Sequence, residues 1–143
     1  MTKTDTVIGD IYDAWRAQDV EWLASYLPED FHHIIHIPPE MHPLGGSRLG
    51  KRATIERLKM LTVQFDFLRF DTQDLMIQRN RAGLEIPVRY RHRETGRYLE
   101  TTIANFWTFE DGWPVKLVEY HDLTRIQSFV NEMIGPAGHA GSA

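Results

Sequence analysis

Beyond Phe65, polar and apolar residues alternate almost without a break to Asp122, interrupted only by the turn-rich clusters Asn80-Arg-Ala-Gly83, Glu94-Thr-Gly96 and Glu110-Asp-Gly112. A period of two belongs to strands with one buried face, and short Gly-containing breaks belong to hairpins. The pattern predicts strands near 67–79, 84–93, 98–109 and 115–122, paired antiparallel in chain order. The last of these carries the most chemistry. Val115, Leu117 and Glu119 alternate with Lys116, Val118, Tyr120 and Asp122, so an acid and a phenol share one face at a strand end.

The preceding half of the chain reads as helical. Val7, Ile8, Ile11, Ala14 and Trp15 recur at helical spacing after Asp5 and Thr6, which predicts an amphipathic helix near 6–17. Asp19 opens a shorter helix that Pro28 stops, because the residue before proline resists the α conformation. Phe31-His-His-Ile-Ile-His-Ile-Pro38 is β-branched and aromatic enough for a strand. The Gly-containing loop from Pro39 to Gly50 has the composition of a lip over a pocket mouth. A third helix begins near Lys51 with Ile55, Leu58, Leu61 and Phe65 on its apolar face. A terminal helix carries Ile126, Phe129, Val130 and Met133, with Thr124 and Gln127 spaced as a capping box. Helices first and a strand meander afterwards make an α+β fold: a cone-shaped, curved, mostly antiparallel sheet wrapped around N-terminal helices. Residues 1–134 form a single domain, and 135–143, without an apolar pattern, form a flexible tail.

Composition then removes classes of function. With 42% hydrophobic residues in 143, the chain can bury one real core. Sixteen Lys plus Arg against twenty Asp plus Glu leave a net charge of −4, which disfavours nucleic acid as a partner. There is no Cys, so disulfides and thiolate chemistry are excluded. The opening Met1-Thr-Lys-Thr-Asp-Thr6 lacks an apolar signal core and no run is long enough to span a bilayer, which predicts a cytoplasmic protein that does not engage membranes.

Ala17-Gln-Asp19 in the helical half, the strand ending His36-Ile-Pro38, the helix start Gly50-Lys-Arg-Ala-Thr-Ile55, and Phe109-Glu-Asp-Gly112 followed by Glu119-Tyr-His-Asp122 occur in an order that resembles the SnoaL-like polyketide cyclases. These belong to the nuclear transport factor 2-like, or ketosteroid isomerase-like, superfamily. The likeness covers roughly residues 6 to 130. It implies the cone fold, an acid/base aspartate at the end of the last strand, matched here by Asp122, and closure of a ring by intramolecular aldol chemistry. Ketosteroid isomerases share the layout but use an acid where this chain has Ile37, a tyrosine where Ile11 stands with Tyr12 one residue off, and an acid where it has Asn105.

The candidate catalytic set is therefore Asp122 as acid/base, Asn105 as an amide donor to a developing enolate, and His36 as a group that titrates near neutrality. Asp122 is equally placed to cap the helix that follows it. Tyr12, Trp15, Ile37, Trp107 and Tyr120 are the candidate substrate-binding residues, with at most one of Tyr12 and Trp15 expected to reach the cavity. Alternation sends His33 to the face opposite His32 and His36, so no metal site is expected, and no cofactor. The expected function is a cofactor-free lyase, isomerase or cyclase acting on a hydrophobic carbonyl compound. The alternative is a non-catalytic ligand-binding or dimeric interaction module of the same fold. The expected partners are a small hydrophobic molecule and a second copy, forming a homodimer through a sheet face bearing Ala104, Phe106 and Leu117.

Overall fold

The computed structural model describes residues 3–140. Four helices and seven strands follow the order α1 (Lys3–Arg16), α2 (Val20–Ala24), β1 (His32–His36), β2 (Gly46–Leu49), α3 (Lys51–Gln64), β3 (Phe65–Phe70), β4 (Gln73–Gln78), β5 (Arg81–His92), β6 (Tyr98–Glu110), β7 (Trp113–Tyr120) and α4 (Leu123–Ala140). All seven strands lie in one curved, unclosed sheet with the path β2-β1-β7-β6-β5-β3, and β4 adds to β5 beyond β3's reach. Every pairing is antiparallel except β1 with β7, which run parallel.

The core lies between the inner sheet face and the helices. Val7, Ile8, Ile11, Tyr12, Ala14 and Trp15 of α1 are buried, as the helical spacing requires. They meet Leu84, Ile86, Val88, Ile103, Trp107 and Phe109 in one continuous cluster. Asp19 caps α2, its carboxylate accepting from the Trp22 N–H at 3.0 Å. The β6–β7 hairpin turns through Asp111 and Gly112, both at positive φ, as its Asp-Gly sequence favours.

Several expected elements shift. The strand expected at 67–79 is two, because the chain bends at Asp71-Thr72 and both halves pair with β5. The next turn sits at Arg79-Asn80, with Arg79 at positive φ, so β5 already starts at Arg81. The lip from Pro39 to Gly50 contains β2, which pairs with β1. In α3 the buried residues are Thr54, Arg57 and Leu58, with Ile55 and Leu61 only partly covered. α4 is capped by Asp122 rather than Thr124 and continues to Ala140, past the expected tail boundary at 135. Residues 141–143 of that expected tail lie outside the described residues. No helix among the described residues is long and apolar enough to cross a membrane.

Candidate functional site

The sheet's curvature leaves a cavity of about 130 Å³ between its inner face and α1–α4. Most of its wall is apolar: Ile11, Trp15, Leu58, Phe65, Phe70 and Phe129 are representative. Apart from Tyr12 on α1, His42 in the β1–β2 loop and Thr54 on α3, the exceptions gather on β1, β7 and β6. Neighbours across a ladder point to the same side, and Asn105 is opposite Glu119 on β6 and β7. His33 lies opposite Leu117, one residue pair along β7, and its ring reaches the Glu119 carboxylate. His121 continues the inward series Leu117, Glu119, His121 one residue past β7, so all three line the cavity.

His33 and Glu119 form the centre of this polar group, with His33 Nε2 2.5 Å from Glu119 Oε2. The histidine is 1% exposed. Behind it Arg57, 2% exposed, places Nη1 3.4 Å from both the carbonyl oxygen and Nδ1 of His33, and donates from Nη2 to the carbonyls of Gly45 and Gly46 at 3.2 and 2.7 Å. A guanidinium has only donors, so it faces a lone pair on Nδ1, which sets the proton on Nε2, where it is donated to Glu119. Burial drives the Glu119 carboxyl upward, but the hydrogen bond from His33 and the electrostatic pull of His33, His121 and Arg57 outweigh it and hold the carboxyl below its ordinary value. Burial pulls the Arg57 guanidinium down to about 10, still far above neutrality.

Tyr12 anchors a second polar group. Its hydroxyl accepts from Asn105 Nδ2 at 2.7 Å and from Trp107 Nε1 at 2.9 Å, which leaves the hydroxyl's own proton to be donated. Burial raises its pKa above the ordinary tyrosine value, so the phenol stays protonated. Three buried polar atoms at this end of the cavity have no hydrogen-bond partner: Asn105 Oδ1 and both ring nitrogens of His121. Burial lowers the His121 pKa, so the ring is neutral at pH 7, one nitrogen a donor and the other a base. Among the described residues no group of three or more His, Asp or Glu side chains is arranged to hold a metal ion.

The sequence-predicted residues divide between the two faces. Tyr12, Trp15, Ile37, Asn105 and Trp107 all line the cavity. Both Tyr12 and Trp15 do so, against the expectation of one, because positions three apart share a helix face. Asp122, Tyr120 and His36 are elsewhere. Asp122 Oδ1 accepts from the backbone N–H groups of Thr124 and Arg125 at 3.1 and 3.2 Å, and its half-exposed carboxylate caps α4 outside the cavity. Tyr120 and His36 stack ring on ring at 4.4 Å on the outer face, where Phe106 meets Tyr120 edge-on. Leu117, expected on that outer face, is buried in the cavity wall, whereas Phe106 and Tyr120 are exposed.

The residues that sequence reasoning passed over are His33, Glu119, His121 and Arg57. The signal for the first three was present, since the period of two places His33 opposite His36 and Glu119 opposite Tyr120. What it lacked was which of the two faces is the inner one.

The sequence from residue 8 to 120 matches the model of the SnoaL-like domain. No curated protein matches the chain in sequence. Solved structures resemble it closely in fold at low identity. A nuclear transport factor 2-like protein of unknown function from Burkholderia pseudomallei superposes with a TM-score of 0.82 at 17% identity, covering 91% of this chain and 98% of that one. TerC, co-crystallised with polyporic acid, gives 0.79 at 18%, covering 91% and 99%. A provisionally assigned polyketide cyclase from Xanthomonas campestris gives 0.70 at 18%, covering 90% and 96%. Likeness at this identity establishes the shared fold, and the match over most of the chain establishes the family: this chain belongs to the SnoaL-like domain family.

Proposed function

We propose that this protein is a small-molecule enzyme, a lyase, isomerase or cyclase that moves a proton on a hydrophobic carbonyl compound using only its own side chains. The observation that carries this is the unpartnered, neutral His121 beside the His33–Glu119 pair, at the polar end of an otherwise apolar cavity. A neutral imidazole with a free nitrogen can take a proton from the carbon next to a carbonyl, and Glu119 steadies the imidazolium that forms. The free Tyr12 proton is placed to hydrogen-bond the carbonyl oxygen as it becomes enolate-like, its orientation held by Asn105 and Trp107. His33 and Arg57 keep Glu119 ionised and fixed. The apolar wall excludes water and supplies the binding energy. A provisionally assigned polyketide cyclase shares this fold.

Proton exchange tests the proposal without the natural substrate. α-Tetralone in deuterium oxide should lose its α-proton signals faster with the protein than without, and His121→Phe should slow the catalysed exchange about a hundredfold or more. Asp122→Ala should leave it unchanged. Binding of the ketone without exchange would overturn the enzymatic assignment and leave a ligand-binding module.

A further inference from the structure

Building on the assignment of the cavity as a ligand site, we propose that its polar end selects a neutral ligand bearing a hydroxyl group on an apolar ring frame, with the hydroxyl proton donated to Asn105 Oδ1. Asn105 is 3% exposed and its two amide functions are treated unequally. Nδ2 is committed to the Tyr12 hydroxyl, whereas Oδ1 is buried with no partner. A buried carbonyl oxygen stripped of water and left unpaired carries a desolvation cost that a ligand donor relieves. A plain ketone has no proton to give this atom and leaves it unpaired.

The charge pattern excludes the other obvious ligand class. A carboxylate would bring a second negative charge to the wall that already holds Glu119. No Lys or Arg lines the cavity among the described residues. The nearest buried cation, Arg57, turns both Nη groups to the carbonyls of Gly45, Gly46 and His33; its Nε is buried without a partner, and its side chain is not among those lining the cavity. A neutral hydroxyl meets both conditions, giving a proton to Asn105 Oδ1 without adding charge. Tyr12 and His121 still have protons to offer a carbonyl oxygen on the same ligand.

Isothermal titration calorimetry with three probes of similar frame tests this on the unaltered protein: naphthol, methoxynaphthalene, which keeps the oxygen but lacks the proton, and naphthoate, which is charged. Naphthol should bind at least about tenfold more tightly than either of the others. Asn105→Leu should erase that advantage while methoxynaphthalene binds as before. The comparison on the unaltered protein stands even if that variant fails to fold. Equal binding of naphthol and methoxynaphthalene would overturn the proposal and leave the cavity as an unselective apolar site. Tightest binding by naphthoate would overturn the requirement for neutrality. No binding by any probe would overturn both this proposal and the assignment of the cavity as a ligand site.

Discussion

The two faces of the β1–β7–β6 region carry closely similar residues and present opposite chemistry. On the outer face His36 stacks on Tyr120, with Phe106 beside it, and all three rings meet solvent. On the inner face, an odd number of residues along each strand (three for His33, one for Glu119 and Asn105), these three side chains line the cavity beneath the helices. An exposed imidazole exchanges its hydrogen bonds with water at almost no cost. A sealed one must find a partner or shift its proton affinity, and His33 shows the first and His121 the second. Burial rather than residue type separates a site from a surface here.

The largest effect should come from splitting the inner pair. His33→Leu leaves the Glu119 carboxylate buried without its donor and removes the acceptor facing Arg57, so urea unfolding should show a loss of about 3 to 5 kcal/mol. Next comes Tyr12→Phe, which deprives Asn105 and Trp107 of their common acceptor. The same measurement should register about 1 to 3 kcal/mol, and carbonyl-directed exchange should fall with it.

Acid sharpens the comparison further, because the three cavity-lining groups whose pKa values are lowered, His121, His42 and Glu119, act in the same direction. His121 has a folded pKa below its ordinary 6.5, so as pH falls through that value the unfolded chain takes up a proton that the folded chain resists, and stability drops. Glu119 has a folded pKa below its ordinary 4.5, so its contribution is present above that value and is lost as pH falls through the folded one. Melting temperature followed from pH 7.5 to pH 3 should therefore fall in two stages. His121→Phe should shrink the upper stage, to which His42 also contributes, and Glu119→Gln should flatten the lower, while His36→Ala leaves both in place.

The outer face should respond least. Asp122→Ala removes a helix cap and should cost about 1 kcal/mol with no change in exchange activity. His36→Ala should stay within about 0.5 kcal/mol, as surface substitutions do. A loss of exchange activity in either variant would erase the distinction between the faces.

The amino-acid sequence was enough for the order of helices and strands apart from β2 and the division of β3 from β4, for the late hairpins, for placing Ile103, Asn105 and Trp107 on one face, and for the family. These rest on local signals, in which spacing fixes which residues share a face and Asp-Gly fixes a turn. It was also enough for the exact alternatives at Asp122, a cap or an acid, because both depend on a carboxylate at a strand-to-helix junction. Only the tertiary structure shows Asp122 capping α4 and absent from the cavity wall. A period of two separates Glu119 and His121 from Tyr120 and Asp122 but is symmetric under exchange of the faces, and both sets contain an acid and apolar neighbours. The asymmetry comes from the helices that cover one side and from the parallel pairing of β1 with β7, contacts between residues as distant as His33 and Glu119. Arg57 is the extreme case. Nothing in a helical sequence marks a cation for burial, and its place follows from the carbonyls of Gly45, Gly46 and His33, which the folded chain brings to it.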